Sequence, residues 1–94
     1  MKDNEQQKQN HIQVAIITTS GSWPEKDYNT VPINQPIKVE LERATRELHL
    51  ADTTGWVAKI DTRQLEPDRS YQDNGLSDKV DINYGPIKGG GGHA

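Results

Sequence analysis

The side chains able to do chemistry are few in this sequence, and they stand apart. His11, His49 and His93 are isolated, with no spacing that would bring two of them onto one metal ion, so no metal site is expected. Ser20 has no identifiable partner base and reads as a turn residue. Asp78 and Asp81 form a carboxylate pair by count alone, because alternation along their segment turns Asp81 to solvent. Trp23, before Pro24, and Trp56 read as core or loop anchors rather than ligand platforms. Cysteine is absent, which removes disulfides, thiolate metal sites and cysteine nucleophiles together. What remains is main chain: Gly89-Gly90-Gly91-Gly92, followed by His93-Ala94. These glycines are not a phosphate loop, since no Lys-Ser or Lys-Thr follows them and no helix starts there. Taken alone, the run reads as a flexible linker remnant.

The elements that must position this run are legible from periodicity. Ile12 to Thr19 is rich in β-branched residues and ends at Ser20-Gly21-Ser22, a strand followed by a loop, with Ile12, Val14 and Ile16 on one face. Tyr28 to Ile33 alternates weakly and holds Pro32, which a sheet tolerates at an edge or a strand end; a hairpin with the first strand is its simplest pairing. Pro36 suits the first turn of a helix, and Ile37, Leu41, Ala44 and Leu48 then recur at spacings of four, three and four residues. One amphipathic helix of about 13 residues follows from this. Its other face carries Lys38, Glu40, Glu42, Arg43, Arg46 and Glu47. Trp56 to Ile60 is a short strand with Trp56, Ala58 and Ile60 inward. A turn at Asp61-Thr62, a brief return at Gln64-Leu65 and an irregular loop anchored by Tyr71 and Leu76 come next. Lys79 to Tyr84 alternates cleanly and is the clearest strand of all. The expected core is Ile12, Val14, Ile16, Leu41, Leu48, Ile60, Leu65, Val80 and Ile82. Strand, strand, helix, strand, short strand, strand defines an α+β fold in which a mixed sheet packs on one helix and the last strand enters beside the first.

Composition sets the outer limits. The chain has 94 residues, 31% of them hydrophobic, with 14 acidic and 11 basic side chains and a formal net charge of −3. This is material for one small core. Residues 12–85 are expected to form the domain, between a disordered tail at 1–11 and a flexible glycine-rich tail at 86–94. Scattered basic residues argue against nucleic acid as a partner. No apolar run approaches the roughly 18 residues of a membrane span, and Met1 is followed by polar residues, so no membrane association and a cytoplasmic location are expected.

From Arg63 to Gly92 the sequence resembles ubiquitin. Gln64-Leu65-Glu66-Pro67-Asp68-Arg69-Ser70-Tyr71-Gln72-Asp73-Asn74-Gly75-Leu76 is similar to the ubiquitin stretch Gln-Leu-Glu-Asp-Gly-Arg-Thr-Leu-Ser-Asp-Tyr-Asn-Ile, and a last strand and a glycine-terminated tail follow at a similar interval. More narrowly, Asn34-Gln35-Pro36-Ile37-Lys38-Val39 resembles the helix entry of bacterial ubiquitin-like proteins encoded beside activating, conjugating and deconjugating enzymes, some in antiphage operons. The resemblance implies a ubiquitin-like β-grasp and a protein modifier that is a substrate, not an enzyme.

Its reactive group would be the main-chain carboxylate of Gly92, exposed once a peptidase removes His93 and Ala94, with Gly89, Gly90 and Gly91 giving a slim approach. Glycine suits this position because a chain without Cβ threads a narrow channel with φ unrestricted. The implied partners are an activating enzyme, which uses ATP, a conjugating enzyme, a processing or deconjugating peptidase and a target protein joined by an amide bond; the chain itself needs no cofactor. Three departures accompany the resemblance. The outward sheet positions Val57, Lys59, Asp81 and Asn83 are mostly polar where ubiquitin presents an apolar patch to its readers, so those readers should not bind. The basic residues before the ubiquitin diglycine are represented by Lys88 alone. His93-Ala94 lies beyond the glycines, so the resemblance implies that the chain would be a precursor. A sulfur carrier of thiocarboxylate type and a non-conjugating interaction module, self-associating or not, remain the alternatives.

Overall fold

The computed structural model describes residues 10–87. Gly89 to Gly92, His93 and Ala94 lie outside the described residues.

Strand β1 (His11–Thr18) is the centre of the sheet's first half. Ile12, Val14, Ile16 and Thr18 are buried on one face by the period of two, as their β-branched run requires. The strand takes in His11, expected in the tail, because His11 pairs with Pro32. After β1 the chain turns at once. Thr18 Oγ1 donates to the Gly21 carbonyl at 2.8 Å and accepts the Ser20 N–H at 3.0 Å, and Gly21 takes φ +131°, a value a side chain would strain. Gly21 and Ser22, expected in a loop, therefore open strand β2 (Gly21–Trp23), which lies antiparallel to β1 with Ile16 opposite Trp23. Strand β3 (Asn29–Pro32) returns to the same edge of β1, with Ile12 opposite Val31. Pro32 ends that edge strand, where its missing N–H removes no ladder bond.

Helix α1 (Ile37–Glu47) is 11 residues long, shorter than its periodicity implied. Pro36 is its N-cap, with ψ 139°, so the helix starts one residue later than a first-turn proline would place it. No side chain caps it. The orphan donors of the first turn are met by main chain instead: Ile37 N–H donates to the Arg69 carbonyl and Lys38 N–H to the Pro67 carbonyl, both at 3.0 Å. The loop between the last two strands is thus bolted to the start of the helix. Ile37, Leu41 and Ala44 are buried and Leu48 is packed against the core, the expected face.

Strand β4 (Trp56–Ile60), the two-residue β5 (Arg63–Gln64) and β6 (Lys79–Pro86) complete a mixed sheet in the order β2-β1-β6-β4-β5, with β3 also on β1. β6 runs parallel to β1 with Ile82 opposite Ile16, and antiparallel to β4 with Tyr84 opposite Ala58. The parallel pairing requires a crossover, and α1 supplies it. This is a ubiquitin-like fold, one helix packed on one face of a mixed sheet. Of the expected core, Ile12, Val14, Ile16, Leu41, Leu65 and Ile82 are buried, and Leu48, Ile60 and Val80 are half-buried against them. Val31, Ile33, Ile37, Ala44, Ala58 and Tyr71 complete it.

Two polar groups break the pattern. Glu40, assigned to the solvent face of α1, is 1% exposed. Donors from three places compensate it: Asn29 Nδ2 at 3.3 Å, Gln35 Nε2 at 3.2 Å and Arg43 Nη1 at 3.3 Å. A buried carboxylate is sustained only by such a set, and no helical periodicity announces donors on other elements. Tyr71, fully buried, has a hydroxyl with no hydrogen-bond partner. Burial first, and then the Glu40 charge, push its pKa well above the ordinary phenol value. Because the hydroxyl makes no bond, Tyr71→Phe should leave stability unchanged or raise it by about 1 kcal/mol in urea denaturation. A loss of more than about 1 kcal/mol would show that the hydroxyl is bonded after all.

Candidate functional site

The fold directs attention to the end of β6 and the outer face of the sheet. Alternation along β4 and β6 sends Ala58, Ile82 and Tyr84 inward and Val57, Lys59, Asp81 and Asn83 outward. Asp81 and Asn83 are exposed, as the sequence implied, while Val57 and Lys59 are half-buried. Ile17 of β1 opposes Asn83 on the same face. With Val57, Lys59 and Pro86 it lines an open groove of about 400 Å³ beside the point where the chain leaves the sheet. The outer face is therefore less polar than β4 and β6 alone suggested, because β1 contributes an isoleucine to it.

The other half of that face is covered. Tyr28, just before β3, donates its hydroxyl to Asp81 Oδ1 at 2.7 Å, and the Lys79 ammonium stands 5.0 Å from the centre of its ring. The hydrogen bond to the carboxylate, helped by partial desolvation and by the negative charge itself, raises the Tyr28 pKa above its usual value. Ala15, opposite Asp81 in register, is only 6% exposed although it faces away from the core. The chain between β2 and β3 accordingly straps the outer face at its middle.

The remaining sequence candidates take structural places. Ser20 sits in the β1–β2 turn, its N–H donated to Thr18. Asp78 precedes β6 at φ 64°, a left-handed conformation of the kind short polar side chains tolerate. Trp23 packs against the core with the Arg43 guanidinium 6.0 Å from its ring, and Trp56 meets Tyr84 edge-on at 5.1 Å and 73°. His11 opens β1 and His49 follows α1, both exposed. Among the described residues no group of three or more His, Asp or Glu is arranged to hold a metal ion, and no helix is long and apolar enough to cross a membrane. The exit itself is well defined. Pro86, opposite Trp56, is the last residue of β6, and Ile87 beyond it is 61% exposed.

Solved structures place this fold among known ones. A de novo design based on ubiquitin superposes with a TM-score of 0.63 at 16% identity, over 89% of this chain and 98% of the design. A structure described as molecular mimicry of SUMO promoting DNA repair gives 0.61 at 14% identity, over 80% of this chain and 90% of that one. Ubiquitin of Caldiarchaeum subterraneum gives 0.58 at 13% identity, over 86% of this chain and 99% of the archaeal protein. Identities this low speak to fold alone. No family model matches the sequence, and no curated protein does. The fold defined is therefore the ubiquitin-like β-grasp.

Proposed function

We propose that this chain is a ubiquitin-like protein modifier. The observation that carries the reading is the position of the exit: β6, the central strand that closes a ubiquitin-like sheet, ends at Pro86, and three residues later the sequence enters Gly89-Gly90-Gly91-Gly92. A peptidase removes His93 and Ala94 and leaves the Gly92 carboxylate. In the activating enzyme a carboxylate oxygen attacks the α-phosphorus of ATP, and pyrophosphate leaves. A cysteine thiolate of the enzyme machinery displaces AMP to give a thioester, which passes to the conjugating enzyme. A target amine then displaces that thiolate, losing its proton to solvent as the amide forms. The thioester lies on partners, since this chain has no cysteine. The chain is a substrate in each step and needs no cofactor of its own. Its setting is the cytoplasm of a bacterium with a dedicated conjugation operon, of which antiphage systems are one kind. A non-conjugating interaction module is the second reading, favoured by the apolar groove at Ile17 and Val57.

Intact mass of the protein expressed with its native neighbouring genes tests the first step. The mature species should be lighter by the combined residue masses of His93 and Ala94. Recovery of the full-length mass alone from cells that carry those genes would remove the basis for a reactive Gly92, and trimming at another glycine would move the reactive carboxylate to Gly91 or Gly90.

A further inference from the structure

Strands β2 and β3 share one edge of β1, and between them the ladder is broken. Ile16 faces Trp23 and Val14 faces Asn29, so the five residues from Pro24 to Tyr28 stand opposite Ala15 alone, where a continuous hairpin would place one. None of the five belongs to the core, and Glu25, Lys26 and Asp27 are exposed. A hairpin needs no such excursion. Its course is set by what holds it. Tyr28 starts on the β3 side of β1 and reaches Asp81 of β6, on the other side, at 2.7 Å. Two strand spacings are about 10 Å, so the side chain must cross β1. It crosses at Ala15, which faces Asp81 in register and is 6% exposed. The outer face thus has an occupant at its middle, this chain's own loop.

The loop is fastened in two unlike ways. On the core side the buried Glu40 holds both of its feet: it accepts from Asn29 Nδ2 directly, and from Arg43 Nη1, whose guanidinium stands 6.0 Å from the Trp23 ring. On the outer side there is the exposed hydrogen bond from Tyr28 to Asp81, with the Lys79 ammonium 5.0 Å from the ring centre. Breaking the core-side set strands a charge in the interior, whereas breaking the outer bond hands a carboxylate and a hydroxyl to water. The outer bond therefore yields first, and a segment opens without the domain. We infer that residues 24–28 are a latch, an autoinhibitory contact in which Tyr28 bolts the loop over the outer face while the Glu40 network keeps its feet in place when the bolt is open. Opening uncovers Ala15 and joins it to Ile17 on the same face, extending the groove beside the exit toward the middle of the sheet. While closed, the loop competes with any ligand of that face, whose apparent affinity falls with the open fraction. The latch owes nothing to the chemistry at Gly92.

The test is solution NMR of the full chain, isotope-labelled, as wild type, Tyr28→Phe, Tyr28→Ala and Asp81→Asn, with thermal unfolding measured alongside. Two signals report the latch: broadening of the Ala15 methyl by a soluble gadolinium chelate, and the upfield displacement that the Tyr28 ring gives the Lys79 ε-methylene. The wild type should show a protected methyl and a displaced Lys79. Tyr28→Phe and Asp81→Asn both weaken the bolt and keep a ring in place, so each should raise the open-to-closed ratio about tenfold. The Ala15 methyl should then broaden about threefold more and the Lys79 signal move toward its unfolded position, while the Ile12 and Ile82 methyls stay protected and the unfolding temperature holds. Tyr28→Ala should expose Ala15 fully. An Ala15 methyl already open in the wild type, or still protected in Tyr28→Ala, would show that the loop does not cover the face. Wild-type signals in both Tyr28→Phe and Asp81→Asn would show that the hydroxyl bond is not the bolt. Loss of protection at Ile12 and Ile82 together with Ala15 would make the opening global. Each of these results overturns the latch.

Discussion

Leu41→Ala should lower the free energy of unfolding by about 2–5 kcal/mol. Leu41 is 4% exposed at the middle of the buried stripe of α1, between Ile37 and Ala44, and belongs to the same core cluster as Ile12, Val14 and Ile16 of β1. The truncation removes the transfer free energy of the lost methyl groups and leaves a cavity that short strands and one helix cannot close. A domain of this size holds roughly 4–11 kcal/mol in total, so the loss is a large share of it. Denaturant titration followed by tryptophan emission should show a lower midpoint at an unchanged slope. Glu42→Ala, one residue on and facing solvent, should change stability by less than about 0.5 kcal/mol. If Leu41→Ala were equally silent, the sheet and helix would not be packed through this face.

The elements legible in the sequence are those that carry a period. β1, β4 and β6 declare themselves by alternation, and α1 by the recurrence of Ile37, Leu41 and Ala44. The parallel union of β1 and β6 follows because no short turn joins them and a helix stands between. What escaped is set by groups far apart in sequence or by a single side chain. β2 exists because Thr18 folds the chain back with two hydrogen bonds, and its three residues are too few to show a period. Glu40 reads as a surface residue by its helical position, yet donors at Asn29 and Gln35, on β3 and in the turn before α1, hold its charge inside. Periodicity describes one element at a time, and this network spans three.

The candidate site divides the same way. That β6 leads directly to the glycines is plain in the sequence, because the strand and the run are adjacent. The surface around the exit is not. The Tyr28–Asp81 bond joins residues 53 positions apart, and the groove at Ile17 arises only once β1 lies beside β6. A sequence reading limited to β4 and β6 finds a polar outer face; the assembled sheet has a strapped centre and an apolar groove beside the exit. For partner recognition the difference is concrete. A ligand needing the whole apolar face would meet Tyr28, whereas one that holds the tail meets Pro86 and Ile87 first.

Gly92→Val should abolish both covalent products of the proposed pathway, the reductant-sensitive adduct with a partner enzyme and the reductant-stable amide with a target, without altering stability. The second half of this expectation follows from the sequence: the core of the described residues is drawn from Ile12 to Ile82, and position 92 is a glycine ten residues further on, with no side chain to bury. The first half follows from geometry at the reacting carbon. Valine places a branched side chain directly on the residue whose carboxylate must enter the adenylating site, and it restricts the φ that glycine leaves free. Thioester transfer then asks the same carbon to pass a second narrow site, so the obstruction acts twice. Activation and transfer should each fall below detection in a reaction containing ATP and the partner enzymes, while the unfolding midpoint stays at the wild-type value. A Gly92→Val chain that formed adducts at the parental rate would show that Gly92 is not the reacting residue. A product bearing a thiocarboxylate and no target protein would replace the modifier with a sulfur carrier of the same fold. In either case the β-grasp would stand, because its core and its strand pairings lie within residues 10–87 and owe nothing to the chemistry of the tail.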